Sequence, residues 1–242
     1  MKRKFLYFTI TLCILLWAQN QIDNALWTKN HIVKSVNTPQ KKVALTFDDG
    51  PHAKTTAQIL AVLKKKKVPA TFFVLGENAK RFPQLLAQEV ADGHEIGNHS
   101  YDHNHLNHLT NGKISKEITD TEKVIVTVAP RPVLFRPPGG LYNAEVLKAA
   151  QTAGYTTVLW TIDPRDWAHP PAANIVNNVL VNVKPGCIIL LHDGLYPLST
   201  PEAIGTIIDN LRQQGYEFVT VSDLLRAGEQ SGVTSSYHFY NW

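Results

Sequence analysis

The chain has two cysteines, Cys13 and Cys187, and one methionine in 242 residues. Cys13 lies inside an N-terminal apolar run, so once that run is set aside no intrachain disulfide can form. Stability must come from a hydrophobic core, and roughly 200 residues suffice for one. The apolar stretch at residues 5–18 (FLYFTITLCILLWA) is short for a membrane span. It follows Met-Lys-Arg-Lys, the basic start of a secretory signal peptide. No clean Ala-x-Ala precedes Gln19, so residues 1–20 are read as a signal peptide or a retained N-terminal membrane anchor. Either way the rest is expected outside the cytoplasm, secreted or membrane-tethered, with no other membrane contact. Charge imbalance is lacking too. The formal net charge is +4, and removing Lys2, Arg3 and Lys4 leaves +1. Nucleic acid is therefore not an expected partner. The lysine run 64–67 is a solvated helix end, where cations complement the dipole.

What is present is organised from residue 41 onward. Residues 21–40 are polar and unpatterned, as in a linker or stem. Beyond them short apolar runs alternate with amphipathic stretches. Strands are expected at 43–47, 70–75, 95–98, 133–136, 156–162, 187–192 and 217–221. Helices are expected at 57–66, 84–91, 116–128, 143–153, 172–183 and 202–214. Gly93, Gly154 and Gly215 stand where helix C-caps need a left-handed residue. Thr200-Pro201 has the pattern of an N-cap followed by proline at the first helical position. Strand–helix alternation means parallel strands with helical crossovers, in a doubly wound sheet or a barrel related to the (β/α)8 type. Residues 41–227 form a single catalytic domain, expected to be a monomer. The tail 228–242, polar and then aromatic, is assigned no structure.

Polar residues gather at the strand ends. The first strand runs into Asp48-Asp49-Gly50-Pro51 and the third into His99-x-x-x-His103. The fourth reaches Arg136-Pro137-Pro138, the fifth Asp163-x-x-Asp166-Trp167 and the sixth His192-Asp193. In a parallel barrel all of these lie on one face, where the strand-to-helix loops build the active site. His99 and His103 are four residues apart, which on a helical turn would point both imidazoles the same way. With Asp48 or Asp49 as third ligand they make a three-ligand site with an open position, as catalytic zinc requires. The other carboxylate is then free to act as a base, and His192 could supply the opposing acid. Arg136 and Asp166 are a charge pair that either fixes a catalytic side chain or is purely structural.

The segments TFDDGP (46–51), HSYDH (99–103), FRPPGG (135–140), DPRDW (163–167) and LLHD (190–193) occur in this order. Together they resemble the NodB-like polysaccharide deacetylases, carbohydrate esterase family 4, over residues 42–225. The resemblance implies a distorted (β/α)7 barrel, TIM-barrel-like, binding a divalent metal, most often zinc, with cobalt a functional substitute. By motif position Asp49, His99 and His103 would be the metal ligands, Asp48 the general base and His192 the general acid. Asp166 would hold Arg136, which positions Asp48. Leu190 and Trp167 would line the pocket for the acetyl methyl. The implied reaction removes N-acetyl groups from a glycan containing N-acetylglucosamine, releasing acetate.

One departure stands out. An aromatic residue commonly follows the second proline of the third motif, and here Pro138 is followed by Gly139 and Gly140. Glycine keeps the backbone N–H that serves the family as oxyanion donor but removes an aromatic wall, which Tyr142 could replace. Export and the short stem favour peptidoglycan over chitin oligosaccharides. A metal-dependent amidohydrolase of small amides and a glycan-binding homologue without catalysis are the alternatives. His105 and His108 are read as bystanders to the metal pair.

Overall fold

In the computed structural model residues 32–230 are described. The expected N-terminal segment 1–20 and most of the tail lie outside them. Among the described residues there are eight strands: β1 (Ile32–Val33), β2 (Lys42–Asp48), β3 (Thr71–Val74), β4 (Glu95–Asn98), β5 (Leu134–Phe135), β6 (Thr156–Val158), β7 (Ile188–His192) and β8 (Glu217–Phe218). The helices are α1 (Thr55–Lys66), α2 (Gly76–Arg81), α3 (Pro83–Ala91), α4 (Asn111–Ile125), α5 (Ala144–Thr152), α6 (Ala172–Asn182), α7 (Thr200–Gln213) and α8 (Val221–Gln230). Every strand pair is parallel, in the order β1-β6-β5-β4-β3-β2-β7, with β8 pairing only the start of β2.

The sheet curls until its ends nearly meet, giving the distorted (β/α)7 barrel. The seam is closed by scattered contacts rather than a ladder. Ile162 bridges Ile189, Ser35 bridges Cys187, and the Val36 N–H donates to the Gly186 carbonyl at 3.0 Å. Several boundaries move relative to the sequence reading, and the expected strand 156–162 ends at Val158. Ile32–Val33, placed in the linker, form the strand beside β6, and Val36 is buried. Two apolar residues in a polar stretch carry no periodicity to betray them. The expected strand 217–221 shrinks to two residues, because Val221 opens α8 and packs with Leu224 and Ala227 at helical spacing.

Alternation along the strands decides what faces the barrel interior. On β2, Val43, Leu45 and Phe47 belong to the outer core. There they share a cluster with Ile59, Leu60 and Leu63 of α1 and Ile204, Ile207, Ile208 and Leu211 of α7. Ala44, Thr46 and Asp48 therefore point the other way. On β7, Ile189 and Leu191 belong to that same outer core, which turns Ile188, Leu190 and His192 inward. Asp48 is in register with Phe73 on one side and His192 on the other. Helix ends follow the expected chemistry. Gly93, Gly154 and Gly215 have φ of 86°, 78° and 85°, and α1 ends in Lys64, Lys65 and Lys66 before a left-handed Lys67. Helix α4 begins a turn earlier than its polar start suggests, since Ile114, Ile118, Thr121 and Ile125 form one buried stripe.

Candidate metal centre and catalytic face

At the carboxyl ends of β2 and β4, Asp49 and two histidines converge. Asp49 Oδ1 lies 3.3 Å from both His99 Nε2 and His103 Nε2, and the three candidate ligand atoms fall within 4.8 Å of one another. Asp48 Oδ2 stands 3.7 Å from His99 Nε2. Asp49, not Asp48, therefore completes the cluster.

The histidines do not share a helical turn, which corrects the reading of their spacing. After Asn98 the chain is a loop, with Ser100 at φ 71° and His103 at φ 63°. Hydrogen bonds hold that path. Asn98 Oδ1 accepts the Ser100 N–H at 3.0 Å, and Glu117 Oε2 accepts the Tyr101 N–H at 2.8 Å. The Gly76 and Glu77 N–H groups bond the Ser100 and Tyr101 carbonyls. His105 and His108 are exposed and face each other at 6.3 Å between ring centroids.

The arrangement suits a cation. Asp49 Oδ1 is buried without a hydrogen-bond donor, a costly state unless a positive group completes it. His99 Nδ1 donates to the Arg136 carbonyl at 2.8 Å, which fixes the tautomer with Nε2 free to ligate. Burial opposes the Asp49 charge, but His99 and His103 outweigh it and hold the carboxyl at about 2. It is thus a carboxylate at any working pH.

Arg136, the largest fully buried side chain, fastens Asp48. Its Nη1 donates to Asp48 Oδ1 at 2.6 Å and to Thr46 Oγ1 at 2.8 Å. Its Nε and Nη2 reach the carbonyls of Val158 and Leu159 at 3.3 and 3.1 Å. The guanidinium carbon lies 4.0 Å from the centroid of the Phe73 ring and 5.5 Å from that of Trp160.

Asp166 does not hold Arg136 as the resemblance implied. It grips His192: Oδ1 accepts from Nδ1 at 2.7 Å, and Oδ2 accepts the His192 backbone N–H at 2.9 Å. Thr200 Oγ1 donates to Oδ2 at 2.6 Å and the Trp167 N–H to Oδ1 at 3.0 Å. Thr200 is therefore spent on Asp166 rather than on capping α7, whose cap position is Ser199. Burial pulls the His192 pKa down, but the hydrogen bond and charge of Asp166, with Asp48 and Asp49 beyond, carry it up to about 9.

Leu190 is buried two residues before His192, and Trp167 is 41% exposed under the Arg165 guanidinium. Pro138 is buried, and Gly139 turns left-handed at φ 61°. The Gly140 N–H bonds the Pro137 carbonyl at 2.9 Å, while the Gly139 N–H has no acceptor among the described residues. Tyr142 packs into the apolar clusters around Leu106 and Leu147. Sequence reasoning gave no site role to Thr46, which opens the TFDDGP segment, to Thr200, which it read as a helix cap, or to Glu117, which lies in no motif.

The polysaccharide deacetylase family model matches residues 35–158. The chain belongs to the polysaccharide deacetylase family. Members of this family, carbohydrate esterase family 4, are metal-dependent hydrolases of N-acetyl amide bonds, and the chain is such a hydrolase. A peptidoglycan-N-acetylglucosamine deacetylase of Bacillus cereus is 45% identical over 81% of this chain and 93% of its own length. A chitooligosaccharide deacetylase of Rhizobium leguminosarum is 41% identical over 76% of this chain and 83% of its own. The crystal structure of the Bc1960 peptidoglycan N-acetylglucosamine deacetylase superimposes with a TM-score of 0.80 at 37% identity, covering 82% of this chain and 94% of that one.

Proposed function

We propose that this family member deacetylates N-acetylglucosamine in peptidoglycan, outside the cytoplasm, with zinc held by Asp49, His99 and His103. The observation that carries the catalytic part is the pair of buried assemblies flanking the three ligands, Arg136–Asp48 on one side and Asp166–His192 on the other. The likeness to a Bacillus cereus peptidoglycan deacetylase, over 81% of this chain and 93% of that protein, supports the substrate. An exported chain meets that polymer directly, and residues 1–20 serve as its signal or anchor. Among the described residues no helix is long and apolar enough to cross a membrane.

A divalent cation, if held by Asp49, His99 and His103, would polarise the acetamide carbonyl and make the attacking water more acidic. Asp48 takes the proton of the attacking water, its carboxylate oriented by Arg136 so that Oδ2 stays toward the ligands. The Gly139 N–H, which has no acceptor among the described residues, would serve as donor to the oxyanion that develops on the former carbonyl. His192, protonated and aligned through Nδ1 by Asp166, gives its Nε2 proton to the amine nitrogen as the carbon–nitrogen bond breaks. Acetate and a free amine result. Buried Leu190 and half-exposed Trp167 are the apolar and aromatic surfaces for the acetyl group and sugar.

The test is acetate release by the full chain from a panel of peptidoglycan, N-acetylglucosamine oligomers and small acetamides. Turnover on peptidoglycan, lost to a chelator and restored by zinc or cobalt, is the expected result. Turnover confined to small amides would reject the glycan substrate. Chitin oligosaccharides are the second reading, on the strength of the Rhizobium relative.

A further inference from the structure

The seam of the barrel holds a cavity of about 670 Å³, a size usual for sites of small organic ligands. It runs from Gly139 and Gly140, at the catalytic end of β5, down to Lys184 and Pro185 ahead of β7. None of Asp48, Asp49, His99, His103 or His192 lines it. It nonetheless backs onto the catalytic centre, because two of its walls touch Arg136. The Leu159 carbonyl accepts from Arg136 Nη2, and the Trp160 ring lies over the guanidinium.

The lining has a definite chemistry. Asn178 and Asn182 of α6 supply amides, the Asn182 amide N–H already donating to the Asn178 carbonyl at 2.8 Å, and Ser35 supplies a hydroxyl, while the Thr161 hydroxyl is spent on the Ile188 backbone at 3.1 Å. Lys34 and Lys184 supply ammonium groups, and neither has an ion-pair partner among the described residues. The one carboxylate, Asp163, already accepts the Arg165 N–H at 2.8 Å. Gly139 adds no side chain at the catalytic end. Gly140 makes room for the Trp160 wall, since a Cβ there would meet the ring at 2.7 Å.

We propose that this seam cavity binds the acidic peptide that branches from the peptidoglycan strand, while the strand itself crosses the catalytic face. The proposal rests on the peptidoglycan reading given above. A neutral sugar would leave both ammonium groups unmatched. A short peptide with free carboxylates matches them, and its amide groups match the asparagine side chains and the Ser35 hydroxyl. Peptidoglycan carries such a peptide on the sugar beside each N-acetylglucosamine, so the branch starts one ring from the reacting acetamide and has only to turn past Gly139 into the seam. The cavity thereby selects the polymer without touching the reacting atoms.

The experiment compares three substrates: a peptide-bearing peptidoglycan fragment, the same fragment after an amidase has removed the peptide, and an N-acetylglucosamine oligomer. Acetate release is measured with the full zinc-loaded chain and with the Lys34→Ala/Lys184→Ala double variant. The expected result is a KM on the peptide-bearing fragment raised about fivefold by the double variant, with kcat and the other two substrates unchanged. Salt should erode the wild-type advantage on that fragment alone. Asn178→Trp, which fills the cavity without altering charge, should give the same selective rise, and thermal melts would verify that each variant is folded. Equal wild-type KM with and without the peptide would overturn the proposal while leaving the deacetylase reading intact. So would a uniform change across all three substrates. Absence of acetate from all three would overturn the peptidoglycan reading and this proposal together.

Discussion

Asp166 holds His192 at two points, one oxygen on the ring Nδ1 at 2.7 Å and the other on the backbone N–H at 2.9 Å. Ring orientation and protonation state are thus set by one carboxylate that is itself fully buried. Asp166→Asn removes the charge while keeping the shape. His192 should then stay protonated only to lower pH, moving the alkaline limb of kcat down by about one unit or more and cutting turnover roughly 10²-fold. An unchanged alkaline limb in Asp166→Asn would reject His192 as the acid.

The same group leaves a mark on stability. Its folded pKa of about 9 lies above the ordinary 6.5, so its stabilisation is complete below about pH 6.5 and is lost as pH rises through 9. Urea unfolding of chelator-treated protein should show this loss between pH 6 and 9.5, at most about 3 kcal/mol. His192→Gln should show a flatter profile over the same window.

Asp48 and Arg136 form a second unit. Asp48→Asn should lower turnover by about 10²- to 10⁴-fold while metal content stays near wild type, since Asp48 lies outside the ligand cluster. Arg136→Met should instead cost about 3–5 kcal/mol of stability, because it strands a buried carboxylate. Metal analysis, kinetics and denaturant titration of the two variants separate base from support.

Loss of a ligand should look different again. The His103 side chain is 38% exposed on a loop, so His103→Ala should fold yet retain little metal. Saturating zinc should raise the wild-type melting temperature by roughly 5–10 °C and the variant's by far less. An equal rise in both would exclude His103 from the site.

Gly50 tests how the ligand strand is seated. A Cβ at this position would lie 2.1 Å from Asp193 Oδ2, and that oxygen is pinned by Thr56 Oγ1 at 2.5 Å. Gly50→Ala should destabilise the fold by about 1–3 kcal/mol and weaken metal binding through the neighbouring Asp49. Gly112→Ala meets nothing within 4 Å in α4 and should leave both properties unharmed.

Much of this site was legible beforehand because its groups follow strand ends, and parallel strands place their ends on one face. Asp49, His99, His103, Asp48 and His192 are recovered on that logic. Pairings across the barrel were legible only in part. The resemblance implies that Arg136 positions Asp48, and Arg136 does reach Asp48 on β2, but the partner of Asp166 is His192 rather than Arg136, a pairing that no linear spacing encodes. The four-residue spacing of His99 and His103 suited a helix equally well, and left-handed Ser100 and His103 decided otherwise. Strand β1 escaped because two residues are too few to show a period.

The Arg136 and Asp166 assemblies share no hydrogen-bonding residue, although Asp48 and His192 are register partners on neighbouring strands. Each can be broken without dismantling the other or the three ligands between them. A change at Asp166 alone would leave a protein that still takes up its cation and sugar but turns the sugar over about a hundredfold more slowly. In descent, then, a single codon moves this scaffold from fast hydrolase toward lectin.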